Sequence, residues 1–365
     1  MILETKNLKP YIKLFVSTKI AGNAYYDHVF LDFRKKTLSF YTDSTSVRLT
    51  LFIKDQKDET FLYVDGMKFF QLVANFDQLE IKDKKFYGKK NKFSLPTLDE
   101  DLSFSLEEDY SGEIFSLTFT KSFLSDFVMF KEFLEKDPTA YQALFFQSAA
   151  SMVISPTRFM LSTTSLDSTV SFSIPTSVVK AIDLLPIQEN EVIEFRMKNS
   201  SNGGKVVEFN YNDLFYRFAS SSDLELPVDP FDEDFTSSFM HEEFFELTTS
   251  EAYEAIKFIS DFLKQEVNHS RLDFLEDSIK ITATYETEIE YLLPVLQYSN
   301  QSYFVGQNFW IVLNSLLSAI NTFSRKKVDT LSIHYSTEGP AIMIEDAKKE
   351  SDFFIVQTLV QDPSL

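Results

Sequence analysis

The feature that most constrains this 365-residue chain is a threefold recurrence of one order of elements: helix, strands, helix, strands. The clearest trace is a segment in which an extended apolar residue and a breaker or capping residue lead into an amphipathic helix. It occurs at 64–73, 174–182 and 305–313. One fold used three times is favoured over three unrelated α+β domains.

The spacing of the recurrence indicates whole domains. The three starts lie near residues 6, 120 and 247, far more widely spaced than the units of a solenoid. A chain of this length is also expected to form more than one core. The predicted domains are 1–112, 113–239 and 240–365.

Hydrophobic periodicity predicts an α+β fold with antiparallel sheets. The first helix of each domain is expected at 8–20, 121–134 and 249–263, with Leu8, Ile12, Phe15 and Val16 facing inward in the first. Pro10 is tolerable in an opening turn. Strands are predicted at 29–33, 79–86, 92–95, 192–197, 206–211, 271–274, 330–335, 341–345 and 353–360.

The residues that support most enzyme chemistry are scarce. The chain has no cysteine, which excludes disulfides and thiolate sites, and only 8 glycines, which argues against phosphate-binding loops. None of the four histidines has a metal-ligand partner at helical or hairpin spacing. Glu286, Glu288 and Glu290 alternate as on a solvated strand face. We therefore expect no catalytic residue, metal or cofactor; an unrecognised carboxylate site stays an alternative.

Targeting signals are also absent from the pattern. Residues 1–15 lack the charged-then-apolar order of a signal peptide, and no apolar run approaches the length of a membrane span. A cytoplasmic protein without a membrane partner is the expectation.

The formal net charge is −20, from 35 basic and 55 acidic residues, which argues against a simple DNA-coating protein. Basic residues nevertheless fall on the polar faces of the predicted helices. If those faces converge, they form a basic wall that holds phosphates without reading sequence. The candidate DNA-binding residues are Lys9, Lys13, Lys19, Lys68, Lys121, Lys131, Lys180, Lys257, Lys264, Arg325, Lys326 and Lys327.

A denser group of lysines occupies a probable hairpin at 82–92. A solvated turn explains it, and so does a loop that faces DNA or a loading protein. Both interpretations stay open at this point.

Three segments resemble the bacterial-type sliding clamp, the β subunit of DNA polymerase III. They are 91–98 (NKFSLPTL), 270–274 (SRLDF) with 278–283 (SIKITA), and 304–313 (FVGQNFWIVL). The resemblance implies three tandem clamp-type domains, each with two helices on one side of antiparallel sheets. It also implies a head-to-tail homodimeric ring around duplex DNA, which tethers DNA polymerase and is opened by a clamp loader.

The resemblance further implies two protein contacts. At the dimer interface, Phe93 and Leu95 would meet Phe262 and Leu263 of the other subunit. A groove for partner peptides would draw on Thr163, Leu166, Pro230, Phe231, Ile355, Gln357 and Leu359. Here the chain departs from the family, because Gln357-Thr358 replaces the usual Met-Pro pair and the loop at 167–169 is short.

A different class of function fits the composition as well. An acidic inhibitor or DNA mimic that binds replication proteins would be a monomer, with acids rather than lysines on its helix faces.

Overall fold

The computed structural model describes residues 1–18, 27–41, 45–55, 61–97, 112–137, 139–147, 150–156, 158–163, 165–166, 171–199, 204–220, 243–263, 269–284, 288–336, 340–349 and 353–360. Within these residues seven α-helices are present, after a 3-10 turn at Lys6–Tyr11. They are α1 (Ile12–Thr18), α2 (Gly66–Asn75), α3 (Lys121–Lys136), α4 (Thr176–Asp183), α5 (Thr249–Leu263), α6 (Gln301–Phe304) and α7 (Leu313–Arg325).

The strands of the first two recurrences are β1 (Ile2–Glu4), β2 (His28–Asp32), β3 (Thr37–Tyr41), β4 (Thr45–Thr50), β5 (Phe52–Lys54), β6 (Phe61–Asp65), β7 (Gln78–Lys82), β8 (Lys85–Gly88), β9 (Asn91–Phe93), β10 (Glu113–Phe119), β11 (Ala143–Gln147), β12 (Ala150–Ser155), β13 (Arg158–Thr163), β14 (Ser165–Leu166), β15 (Phe172–Pro175), β16 (Glu191–Asn199), β17 (Lys205–Tyr211) and β18 (Leu214–Ser220). Those of the third are β19 (Phe244–Thr248), β20 (His269–Phe274), β21 (Ser278–Thr284), β22 (Glu288–Pro294), β23 (Gln297–Tyr298), β24 (Asn308–Val312), β25 (Thr330–Tyr335), β26 (Ala341–Asp346) and β27 (Phe354–Thr358).

The order of these elements repeats three times. Each recurrence has one strand, a helix, five strands, a second helix and three strands, and the third adds the short α6. The second recurrence begins at β10 and the third at β19. The repeated order is confirmed, whereas the domain boundaries at 112 and 239 stay a prediction.

The chain divides into two compact units that cut across this order. Unit 1 comprises Met1–Lys121, Gln142–Ala149 and Thr164–Asp223. It contains a five-stranded sheet, β5-β1-β7-β8-β9, a nine-stranded sheet, β14-β10-β16-β17-β18-β4-β3-β2-β6, and the β11–β15 pair. Unit 2 comprises Ser122–Tyr141, Ala150–Thr163 and Leu224–Leu365. It contains the run β12-β13-β27-β26-β25-β19-β23 and the sheet β22-β21-β20-β24.

Local sequence explains how the helices begin and pack. The Asp65 carboxylate caps α2 by accepting a hydrogen bond from the Lys68 backbone N–H at 3.0 Å. At Gly66, a Cβ atom would lie 2.3 Å from the ring of Phe15, so only glycine lets α2 approach α1 this closely. In unit 2, Ala252, Ala255, Ile256 and Ile259 bury one face of α5.

Two predicted helices need correction. The helix at 8–20 is a 3-10 turn followed by α1, and Val16 is 49% exposed rather than inward. The helix in 305–313 is wrong, because Asn308–Val312 forms strand β24 and α7 begins only at Leu313. A contiguous apolar run does not separate strand from helix by its period. The helix at 249–263 is confirmed. No helix within the described part of the chain is both long and apolar enough to span a membrane.

Candidate functional site

Each unit contains one junction at which two recurrences share a sheet. In unit 1, β4 of the first recurrence pairs antiparallel with β18 of the second, and Val47 lies opposite Tyr216. In unit 2, β13 of the second pairs with β27 of the third, and Met160 lies opposite Ile355. The rule is the same in both: the fourth strand of one recurrence meets the last strand of the next.

The two junctions also share a register. Val47 pairs with Phe40 across the β3–β4 hairpin, and Met160 pairs with Val153 across β12–β13. The corresponding pair in the third recurrence is Ala283 and Ile289 across β21–β22. All of these except Ile289 are buried. The β22 strand is therefore built like β4 and β13.

The rule leaves one strand of the first recurrence and one strand of the third without such a partner among the described residues. The fourth strand of the third recurrence, β22, is the edge of its sheet, and so is β9, the last strand of the first recurrence. Sheet edges present unpaired backbone groups that readily accept another strand. We call β22 and β9 the open junction.

A groove lies beside β9. It is a cavity of about 730 Å³ between α2 and β9, and Phe76 and Phe93 form its aromatic wall with ring centroids 5.5 Å apart. Leu72 and Leu95 add apolar surface, and the exposed Lys68 stands on its rim. The groove thus combines an apolar floor with a basic edge.

Aromatic side chains protrude beside β22. Phe258 and Phe262 of α5 are 55% and 56% exposed. The ring centroids of Phe258 and Tyr291 are 6.4 Å apart. When α3 and α5 are aligned on their buried positions, Phe262 corresponds to Phe133, which is only 3% exposed. The same helix position is covered at a closed junction and open here.

Phe262 and Leu263 were predicted together at the dimer interface. Phe262 is available, but Leu263 is 7% exposed and packs in the core of unit 2. The burial of Leu263 contradicts its predicted place in the interface, whereas Phe258, on the same helix, is exposed. The helical spacing of α5 explains this difference in burial. Leu263 continues the buried face of Ile256 and Ile259, and Phe258 lies off that face.

Charge differs between the two ends of the chain. Residues 1–97 carry 17 lysines and arginines against 11 acids, whereas residues 243–365 carry 9 against 19. Within the open junction, Lys92 lies on β9, and Glu288 and Glu290 are exposed on β22. The two ends are therefore of opposite sign.

The lysines predicted to face DNA fall into several groups. Lys13, Lys68, Lys121 and Lys257 are exposed on or at the start of helices, and Lys131 and Lys180 are half-buried. Lys9 forms an ion pair with Asp77 at 2.7 Å, which lowers the pKa of that carboxyl through its hydrogen bond and charge. Lys19 and Lys264 lie outside the described residues.

The basic triplet after α7 is not a DNA-facing cluster as a whole. The side chain of Lys326 is 8% exposed and forms an ion pair with Asp126, so its assignment to DNA has to be withdrawn. Arg325 donates a hydrogen bond to Glu132 at 2.6 Å. With Lys136, this contact lowers the pKa of Glu132 to about 2. Only Lys327 is exposed without such a contact being described.

The lysine-rich segment 82–92 forms two turns rather than one hairpin. Asp83 and Lys84 have positive φ in the β7–β8 turn, and Lys89 has positive φ in the β8–β9 turn. Lys82, Lys84, Lys89 and Lys90 are exposed, and Lys92 lies 6.0 Å from the ring of Tyr87. Both earlier interpretations of this segment stay predictions.

The predicted peptide groove is only partly described. Ile355, Gln357 and Leu359 are buried, and the Gln357 side-chain amide donates to the Val312 carbonyl at 3.4 Å. Thr163 ends β13 and Leu166 ends β14. Pro230 and Phe231 lie outside the described residues. The groove stays a prediction.

Clusters of polar side chains were the remaining alternative to a non-catalytic protein. The described residues contain no cluster of three or more histidines, aspartates or glutamates able to hold a metal ion. His334 Nε2 lies 3.0 Å from both Ser332 Oγ and Glu345 Oε1. A serine-activating triad needs the carboxylate on the other ring nitrogen, so this cluster is a local hydrogen-bond network.

No protein-family model matches the chain, and no curated protein matches it in sequence. Solved structures do match. The DNA polymerase sliding clamp from Bacillus subtilis aligns with a TM-score of 0.72 at 12% identity, covering 99% of this chain and 98% of that one. The β subunit from Streptococcus pyogenes gives 0.74 at 13%, covering 99% and 100%.

The DNA polymerase III β subunit from Thermotoga maritima gives a TM-score of 0.74 at 14% identity, covering 99% of each chain. Identities this low carry information about the fold alone. Each of these matches covers 99% of this chain. The chain therefore has the α+β fold of the bacterial DNA polymerase III β sliding clamps.

Proposed function

We propose that this chain is a sliding clamp: two copies close head to tail into a ring that encircles duplex DNA and tethers a DNA polymerase. The observation that carries the proposal is the open junction. Within the chain the same strand-pairing rule is satisfied twice. The two strands that would satisfy it a third time are β9 of the first recurrence and β22 of the third, and both are sheet edges. Such a heterologous contact builds a ring when its rotation closes.

The register of closure follows from the two closed junctions. Val47 faces Tyr216 and Met160 faces Ile355, so Ile289 would face Phe93 of a second copy. One residue along in each direction, Glu288 would face Ser94 and Glu290 would face Lys92. Opposite charges directly across a strand pair contribute roughly 0.2–1 kcal/mol.

Helix packing supports the same closure. The first helix of one recurrence meets the second helix of the next in both units, as α1 with α4 and α3 with α7. By this rule α5 would meet α2 of a second copy. Phe262 would enter the groove beside Phe76 and Phe93, and Phe258 would cover its edge. Buried aromatics of this kind are the usual energetic centre of an interface.

The proposed DNA contact is sequence-independent. The helix-associated lysines that we propose to contact phosphates are Lys13, Lys68, Lys121, Lys131, Lys180, Lys257 and Lys327. Each contact would release counterions, so binding would weaken steeply with salt. Tethering raises the local concentration of a polymerase at its primer end, and the clamp itself needs no catalytic residue. A clamp loader would open the ring.

Partner peptides are proposed to dock in a groove that includes Thr163, Leu166, Pro230, Phe231, Ile355, Gln357 and Leu359. The burial of Ile355 and Gln357 implies that these residues form the floor of such a groove rather than its rim. The polymerase and the loader are the expected occupants.

Engineered disulfides test the closure directly, because the chain has no cysteine of its own. Ser94→Cys with Glu288→Cys should give a covalent dimer, since directly opposed residues satisfy disulfide geometry. The matched control is Ser94→Cys with Glu290→Cys, two residues out of register. Equal yields for both, or no dimer for either, would count against the ring.

Topological binding needs a separate measurement. A ring that is first loaded on nicked circular DNA with a loader and ATP, and then cross-linked, should withstand high salt and leave when the DNA is linearised. Release that depends on salt but not on linearisation would indicate ordinary affinity instead. A strictly monomeric chain would favour the inhibitor or DNA-mimic alternative.

A further inference from the structure

A buried polar contact joins the second and third recurrences in unit 2. Asp126 of α3 is fully buried and forms an ion pair with Lys326, which follows α7. Its other carboxylate oxygen accepts a hydrogen bond from Ser162 Oγ of β13 at 2.5 Å. One carboxylate therefore connects α3, β13 and the end of α7; we call Asp126, Ser162 and Lys326 the latch.

Aromatic side chains keep the latch away from water. The Lys326 ammonium lies 4.3 Å from the ring centroid of Phe353, which packs against Phe130 of α3 and Phe323 of α7 at 6.2 and 5.6 Å. A cation over an aromatic face gains attraction when it is desolvated. The ammonium is thus held from two sides, by a carboxylate and by a ring.

A buried ion pair adds little net stability, because desolvation offsets the attraction between the charges. Its geometric demand is strict, since a small displacement leaves two charges buried and unpaired. An apolar contact tolerates sliding, whereas this contact selects one arrangement of α3 against α7. The latch is therefore suited to orientation more than to stability.

Two further contacts connect α7 to the residues of the open junction. Ser260 of α5 donates a hydrogen bond to Asn314 of α7 at 2.6 Å, and α5 packs against both α7 and β22. A shift of α7 against α3 would move Phe262 and β22 together.

We propose that Asp126 is a positioning residue, which sets the angle of the third recurrence so that α5 and β22 meet a second copy correctly. The inference rests on the proposed head-to-tail ring. It assigns Lys326 a role within the protein instead of one on DNA, and it makes closure depend on a contact distant from the interface.

The test separates folding from closure. Asp126→Leu with Lys326→Leu removes both charges, so the fold should keep its melting temperature or gain a few degrees. The dimer dissociation constant, measured by analytical ultracentrifugation, should nevertheless rise about tenfold, which corresponds to about 1.4 kcal/mol. The Ser94→Cys/Glu288→Cys cross-link should form more slowly in the same proportion.

Two further variants complete the design. Asp126→Asn keeps the carbonyl acceptor and should restore part of the closure; it also decides the matter if the double variant fails to fold. Asp329→Asn with Lys348→Met removes an exposed pair in the same unit and should leave closure unchanged. Wild-type closure in the double variant, or in Asp126→Asn if only that folds, would overturn the latch. Failure of the wild-type chain to close would instead overturn the ring.

Discussion

The two closed junctions use the same backbone pairing but different side-chain chemistry. Across the first, Val47 lies opposite the buried Tyr216, and the guanidinium of Arg48 lies 4.6 Å from the ring centroid of Phe215. Across the second, ion pairs join α3 to the end of α7 through Asp126 and Glu132. One backbone rule thus supports an aromatic junction and a charged one.

The difference teaches which property each junction supplies. Burial of a large aromatic side chain stabilises in proportion to area and is nearly independent of pH and salt. Paired charges impose geometry, and their contribution changes with protonation and ionic strength. We expect the first junction to provide stability and the second to provide orientation.

The largest effect should come from the aromatic junction. Tyr216→Ala removes a fully buried ring that stacks on Phe209 at 5.3 Å, and it should cost about 3–5 kcal/mol of unfolding free energy. Urea titration of the variant measures this loss. Phe61→Ala, at an exposed position of the same sheet, is the control and should cost far less. Equal losses for the two would refute the role of the ring.

The second largest effect should come from the charged junction, and it should depend on whether Asp126 is present. Lys326→Met leaves Asp126 buried without its cation, which typically costs about 3 kcal/mol or more. Adding Asp126→Leu should recover most of that loss. A double-mutant cycle by chemical denaturation measures the coupling, and additive losses would show that the two residues do not interact.

Acid should distinguish the junctions further. The pKa of Glu132 falls from 4.5 to about 2, chiefly through its hydrogen bonds from Arg325 and Lys136. Because the folded pKa is depressed, this stability is present above pH 4.5 and is lost as the pH falls towards 2. After allowance for solvent screening we expect about 1 kcal/mol. Chemical denaturation at pH 6 and at pH 3 measures how much unfolding free energy is lost on acidification. In Glu132→Gln this loss should be smaller than in the wild type by about the contribution of Glu132. An equal loss in both proteins would contradict the assignment.

The smallest effect should come from the exposed pair of Lys348 and Asp329, at 3.4 Å. Asp329→Asn should change the unfolding free energy by less than about 0.5 kcal/mol, because exposed pairs are screened and flexible. A larger loss in a thermal melt would mean that surface charge contributes more to unit 2 than its geometry indicates.

Sequence periodicity is sufficient to predict the elements whose apolar spacing is regular. The bounds of α5 follow from Ala252, Ile256 and Ile259, and the repeated order of elements follows from three similar helix entries. The misplaced third entry has a physical cause. Phe309, Trp310 and Ile311 are adjacent aromatic and β-branched residues, and pairing with β20 makes them a strand.

The functional site was predicted less completely, because its key contacts join residues that are distant in the sequence. Lys326 looked like a helix-end cation; nothing nearby in the chain reveals Asp126, 200 positions away. The exposure of Phe258 was visible in principle, since it falls off the buried stripe of α5. The open junction required the strand pairing itself.

The mass of the wild-type protein in solution tests the central claim most directly. Light scattering at micromolar concentration should give about twice the 42.3 kDa of one chain, and Phe262→Asp should reduce it towards a single chain. A wild-type protein that stays at one chain mass across that range would contradict the head-to-tail ring.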